Sequence, residues 1–142
     1  MRIYDILSTK GHDVITITPD SSVTELVSLL SDHNLGAVLV SPDGATILGI
    51  VSERDVVRRL AAGAEFVNGP VSAIMTSDVF SCSPNDTVQS SMAAMTERRI
   101  RHLPVVDEQQ QLTGIVSIGD LVKSQISELQ FERDQLQGYV SG

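Results

Sequence analysis

The sequence has no tryptophan, two tyrosines and three phenylalanines, so its core has to be built from aliphatic side chains. A single cysteine, Cys82, excludes an internal disulfide and fits a reducing compartment. Cations are scarce as well: ten Lys and Arg stand against eighteen Asp and Glu, giving a net charge of −8. That balance argues against a nucleic-acid backbone as the main partner, and any anion site has to be local, made from a few cations and backbone amides. No apolar run is long enough to span a bilayer, and no signal peptide is visible at the charged, mixed N-terminus. A soluble cytoplasmic protein is therefore expected. His12, His33 and His102 show no metal-ligand spacing, and no nucleophile stands in register with a base, so the chain does not read as an enzyme.

What the sequence does have is a repeat. Gly49-Ile50-Val51-Ser52-Glu53-Arg54-Asp55 returns as Gly114-Ile115-Val116-Ser117-Ile118-Gly119-Asp120. The offset of 65 aligns residues 13–60 with 78–125 without a gap, and it also matches Pro19 with Pro84, Val40 with Val105 and Val57 with Val122. Two copies in 142 residues, 42% of them hydrophobic, predict a pair of small repeats with a real core rather than a solenoid. Upstream, Ile6-Leu7-Ser8 resembles Ile74-Met75-Thr76, but the extra residues Lys10-Gly11-His12 then precede Asp13. The first copy carries an insertion that the second lacks.

Each repeat reads as strand, helix, strand, strand, helix. In the first, the strand Val14–Thr18 stops at Pro19-Asp20, and Ser22-Val23-Thr24-Glu25 is a capping box opening a helix. Ala37–Val40 and Ile47–Val51 are strands around the turn Pro42-Asp43-Gly44, and a helix over Glu53–Ala62 ends at Gly63. The second repeat gives Val79–Ser83, Thr87–Arg98, His102–Val106, Leu112–Val116 and a final helix from Ile118 to about Gln137. The boundaries are then 1–63 for the first repeat, 64–71 for a linker containing Gly69-Pro70, 72–126 for the second repeat and 127–142 for a helical extension. Val122, Ile126, Leu129 and Leu136 form a short heptad stripe on that last helix, interrupted by Arg133, and predict a homodimer. An amphipathic helix folded back on its own core is the other reading.

The two strand-to-helix corners carry the chemistry. A helix N-terminus suits an anion, a serine hydroxyl there can donate to a phosphoryl or sugar oxygen, and a carboxylate one turn in can accept from both hydroxyls of a ribose. Ser-x-x-Asp is equally a helix cap, with the acid complementing the dipole. The duplication does not separate these readings, because a duplicated cap also recurs. Gly49 and Gly114 allow a ligand or a neighbouring backbone to approach closely. Arg101 and His102 precede the strand Leu103-Pro104-Val105-Val106, whereas the first copy has Gly36 and Ala37 at the same place. Small residues there expose backbone to a flat ring; Arg and His could hold a phosphate.

With these residues in place, the chain resembles a tandem pair of CBS domains, the regulatory module named after cystathionine β-synthase. The signature Gly-h-h-Ser/Thr-x-x-Asp, where h is apolar, is met by Gly49–Asp55 and Gly114–Asp120, and Arg101–Asp107 is equally typical. The resemblance covers about Asp5 to Gln125, and the Lys10-Gly11-His12 insertion is similar to that of stand-alone bacterial CBS-pair proteins. It implies an α+β fold of two βαββα repeats packed about a pseudo-twofold axis, with two clefts that take AMP, ADP, ATP, NAD(H) or S-adenosylmethionine. One cleft would use Asp120 and Ser117 for the ribose beside Ile115 and Gly119. Its adenine would lie near Val14, Leu35, Gly36 and Ala37, with Arg101 and His102 at the phosphates and Lys10 and His12 at the rim. The other would use Asp55 and Ser52 beside Ile50, Val79 and Ile100–His102 at the adenine, and Arg54 near the phosphate. It further implies a stand-alone sensor, with AMP the first ligand to expect, that signals to a regulated protein partner and needs no metal. A ligand-free dimerisation scaffold and an enzyme acting on an adenine nucleotide are the alternatives.

Overall fold

The N-terminal octet explains how the chain closes on itself. Ile3, Ile6 and Leu7 share one face at helical spacing, Asp5 lies in the first turn, and Gly11 takes the positive φ (+104°) that ends the helix. In the computed structural model, which describes residues 1–141, this is helix α1, Ile3–Lys10, with all three apolar residues buried. The repeat pattern, which starts at Asp13, does not include this helix. The remaining order is β1 (Thr16–Ile17), α2 (Val23–His33), β2 (Ala37–Val40), β3 (Gly49–Ser52), α3 (Glu53–Leu60), α4 (Val88–Arg98), β4 (His102–Val106), β5 (Leu112–Ser117) and α5 (Ile118–Ser141). Helices and strands mix as two βαββα repeats, as expected.

The first repeat makes a three-stranded sheet ordered β1-β2-β3, with β1 parallel and β3 antiparallel to β2; β4 and β5 pair in a second sheet. The first strand of each repeat is shorter than its alternation suggested. Val14–Thr18 reduces to two residues, and Val79–Ser83 reduces to a single parallel bridge between Cys82 and Val105. An edge strand counts only where it meets a partner, and here the ladder is short. Ser22 and Thr87 cap α2 and α4 by accepting from the N–H groups of Glu25 and Ser90 (both 3.1 Å). The turn between β2 and β3 is tied by Asp43, whose Oδ1 accepts from the N–H groups of Thr46 (2.8 Å) and Ala45 (2.9 Å). Those backbone bonds hold its carboxyl down at about 2.

The described residues divide into two compact units, and neither is continuous in sequence. One takes Met1–His12, Ser81–Val106 and the chain from Gly114 onward; the other takes Asp13–Phe80 and Asp107–Thr113. The units are not the contiguous repeats, because the segment leading into each repeat packs with the other repeat. Ile3 N–H donates to Asp86 C=O (2.9 Å), Tyr4 N–H to Pro84 C=O (2.9 Å), and Val88 N–H to Met1 C=O (3.1 Å). The same three bonds recur in the second unit, from Val71 to Ser21 (2.8 Å), Ser72 to Pro19 (3.1 Å) and Val23 to Gly69 (3.0 Å). Val71, expected in a linker, is thus a fully buried core residue, and Glu65–Asn68 before it forms a 3₁₀ turn.

The core of the first unit gathers Ile3, Leu7, Val88, Met95, Leu103, Val105, Val116 and Leu121; that of the second gathers Val23, Leu26, Val38, Val40, Val51 and Val71. Both are aliphatic, as the missing aromatics require. Cys82 lies in the first core, where burial pushes its thiol up to about 12, with the Asp86 charge adding to the effect.

Candidate functional site

In each repeat the last strand runs into a helix without a loop, β3 into α3 at Ser52 and β5 into α5 at Ser117. The tight turn works because serine and aspartate satisfy one another. Ser52 N–H and Ser52 Oγ–H donate to Asp55 Oδ2 (2.8 and 3.0 Å), and Asp55 N–H donates back to Ser52 Oγ (3.3 Å). Ser117 N–H donates to Asp120 Oδ2 (2.8 Å), and Asp120 N–H to Ser117 Oγ (3.1 Å). Both corners are capping boxes with aspartate in the acidic position.

The cap does not exhaust the carboxylates. Every protein hydrogen bond to them falls on Oδ2, and among the described residues nothing donates to Oδ1 of Asp55 or of Asp120. An ionised carboxylate has about four lone-pair sites, so each corner keeps acceptor capacity at a half-buried helix N-terminus. Capping and ligand binding, set against each other in the sequence, are compatible in the fold.

The corners differ in one respect. Lys10 Nζ donates to Asp120 Oδ2 (2.7 Å) and to Ile115 C=O (2.9 Å). Burial works against ionisation of Asp120, but the Lys10 hydrogen bond, the Ser117 N–H and the Lys10 charge outweigh it and hold the carboxyl below its ordinary value. The resemblance puts Lys10 at the rim of the cleft; in the structure its ammonium sits on the carboxylate. The signal was the insertion that supplies it, but its partner lies 110 residues away.

The predicted residues sort by unit. Lys10, His12, Ile100, Arg101, His102, Ile115, Ser117, Gly119 and Asp120 belong to one; Val14, Leu35, Gly36, Ala37, Ile50, Ser52, Arg54, Asp55 and Val79 to the other. Ile118 N–H donates to Arg101 C=O (2.8 Å), which brings Arg101 and His102 to the Asp120 corner. Glu53 N–H donates to Gly36 C=O (3.0 Å) and Ala37 pairs with Ser52, which brings Gly36 and Ala37 to the Asp55 corner. Arg101 and Arg54 are exposed and His102 is half-buried. A groove of about 500 Å³ opens between α2 and α3, lined by Val27, Leu30, Leu35 and Val56 with Ser31, Asn34 and Glu53 at its polar parts.

The two corner glycines are explained by packing. A Cβ on Gly49 would stand 2.6 Å from Met75 Sδ and 2.9 Å from the Thr76 carbonyl oxygen; one on Gly114 would stand 2.7 Å from Leu7 Cδ2. The close approach predicted at these glycines is made by the lead-in segments of the chain itself. Among the described residues no group of three or more His, Cys, Asp and Glu is placed to hold a metal ion. No described helix is long and apolar enough to cross a membrane.

This geometry, a duplicated Gly-x-x-Ser-x-x-Asp corner in two βαββα repeats, defines the class. The CBS domain family model matches residues 3–62 and 71–127, and the chain belongs to that family. The CBS domain-containing protein YhcV of Bacillus subtilis is 34% identical over 122 residues, 86% of each chain. A solved structure of a CBS-domain containing protein from Agrobacterium tumefaciens superposes with a TM-score of 0.83 at 40% identity, covering 88% of this chain and 99% of that one. The CBS domain pair of protein MJ0100, solved in complex with 5′-methylthioadenosine and S-adenosyl-L-methionine, shares the fold with a TM-score of 0.77 at 24% identity, over 87% of this chain and 98% of that one.

Proposed function

We propose that this protein is a non-catalytic regulatory module that binds an adenosine-containing nucleotide, AMP foremost, and relays its occupancy to a protein partner in the cytoplasm. The observation that carries this reading is the pair of capping aspartates, each half-buried and left with one carboxylate oxygen to which nothing donates among the described residues. A ribose diol supplies the hydroxyl donors such an oxygen accepts. The nucleoside-like ligands of the MJ0100 pair support the choice of adenosine. Arg101 and His102 beside Asp120 supply the phosphate contacts, whereas the Asp55 corner has Gly36 and Ala37 there and only Arg54 as a cation. Calorimetric titration with AMP, ADP, ATP, NAD(H), S-adenosylmethionine and 2′-deoxy-AMP tests the reading. Binding of a ribonucleotide with a clear loss for the deoxy analogue supports it; equal affinity for both, or no binding by any adenosine ligand, overturns it.

The module acts as a homodimer held by α5. Helix α5 is 24 residues long, and Val122, Ile126, Leu129, Leu136 and Val140 repeat at heptad spacing along it. From Leu129 to Val140 every residue is exposed, so the stripe is not folded back on the core of its own unit. Arg133, at the interrupting core position, pairs with Asp134 (3.4 Å), which offsets its charge there. Light scattering is expected to give twice the chain mass for the native protein and a monomer for Leu129→Glu/Leu136→Glu. A monomeric native protein refutes the assignment.

A further inference from the structure

The insertion that distinguishes the two repeats ends on the ligand-binding carboxylate. Helix α1 is anchored by Ile3, Ile6 and Leu7 in the core, and Gly11 N–H closes it on Leu7 C=O (2.7 Å), so Lys10 is delivered from a fixed position. Its ammonium donates to Asp120 Oδ2 (2.7 Å) and Ile115 C=O (2.9 Å), with the lysine 38% and the aspartate 27% exposed. In the other unit the matching lead-in runs from Ile74-Met75-Thr76 straight to Ser77-Asp78, with no residue in the place of Lys10. There the second bond to Oδ2 comes from the hydroxyl of Ser52 itself (3.0 Å). Among the described residues one carboxylate is thus paired with a cation, and its twin is not.

A vicinal diol binds a carboxylate best with one hydroxyl on each oxygen. At Asp55 only a serine hydroxyl has to rotate away from Oδ2. At Asp120 the same hydroxyl has to replace a charge-assisted bond from Lys10, and an uncharged nucleoside returns nothing to the displaced ammonium. A nucleotide does, because its phosphate can take the ammonium that its ribose displaces. We propose that Lys10 is a specificity-determining residue of the Asp120 site, excluding uncharged nucleosides and admitting anionic nucleotides by exchanging its carboxylate partner for a phosphate. The proposal rests on the nucleotide reading of Asp120 given above.

The test is titration calorimetry of the full chain with adenosine and AMP, in an Asp55→Asn background that confines binding to the Asp120 corner. Lys10→Met is expected to strengthen adenosine about tenfold and weaken AMP about tenfold, the order expected for a single charge-assisted hydrogen bond. Lys10→Arg keeps the preference. Lys123→Met, which removes the same charge from an exposed position on α5, leaves the ratio of the two affinities unchanged. If Lys10→Met shifts both ligands by the same factor, or if Lys123→Met collapses the ratio equally, Lys10 selects nothing and the inference is overturned. If instead Asp120→Asn leaves both affinities untouched, it is the nucleotide reading that has failed, and the inference falls with it.

Discussion

Asp120→Ala is expected to weaken AMP binding at least tenfold while lowering the stability of the unit by about 1 kcal/mol, the usual cost of losing a helix cap. The two effects have separate causes. The cap runs through Oδ2, which accepts from Ser117 N–H (2.8 Å), whereas among the described residues nothing donates to Oδ1, which leaves it to a ribose hydroxyl. A hydrogen bond to a charged group contributes about 1.5–3 kcal/mol, so losing even one accounts for the tenfold loss. The 2′-deoxy nucleotide, lacking one hydroxyl, binds the native protein more weakly and loses less on mutation. Because the Asp120 pKa is depressed in the folded state, its stabilising contribution is complete above the unfolded value, near 3.9, and disappears as pH falls through the folded one. Measurements at pH 7 therefore compare an ionised carboxylate with none. Should Asp120→Ala lower the melting temperature and leave AMP affinity intact, the aspartate is a cap and nothing more.

The corners were legible because their determinants are local. Ser52 and Asp55, like Ser117 and Asp120, are three positions apart, and that spacing alone sets the reciprocal bonds. Helices α2 and α4 were legible for the same reason, with caps at Ser22 and Thr87 and apolar residues in step. What escaped the sequence depends on distant chain. Helix α1 has only eight residues, too few to be stable by propensity, and its formation follows from burying Ile3, Ile6 and Leu7 against Met95, Leu103 and Val116. Val79–Ser83 alternates like a strand, but the bridge it makes to β4 is centred on Cys82, through Cys82 N–H to Pro104 C=O (3.0 Å) and Val106 N–H to Cys82 C=O (2.9 Å). The need for Gly49 and Gly114 could be read from the repeat, while the atoms that crowd them could not. Lys10 was visible as an insertion, and its partner was hidden for the same reason.

Leu7→Ala is expected to be among the most destabilising single changes, about 2–5 kcal/mol, because Leu7 is 1% exposed in the core of its unit and truncation leaves a cavity. Gly114→Ala alone is expected to cost about 1–3 kcal/mol by overpacking, since its Cβ would lie 2.7 Å from Leu7 Cδ2 and 3.0 Å from Leu7 Cδ1. Gly114 lies within β5 and its φ is not positive, so alanine brings no backbone strain and the cost is the collision alone. Combining the two changes removes the colliding atoms and places the new methyl in the space they vacate. Denaturant unfolding of the four proteins should therefore show the double variant more stable than the sum predicts by at least about 1 kcal/mol, well beyond the few tenths expected for independent sites. The matching pair in the other unit gives the contrast. A Cβ on Gly49 meets Met75 Sδ at 2.6 Å but also the Thr76 carbonyl oxygen at 2.9 Å, and that oxygen already accepts from Ile50 N–H (2.9 Å). Backbone held in a ladder cannot retreat as a side chain can, so Met75→Ala should leave most of the Gly49→Ala penalty in place. Additive behaviour at Leu7 and Gly114, or full rescue of Gly49→Ala by Met75→Ala, would show that the glycines are not set by these contacts.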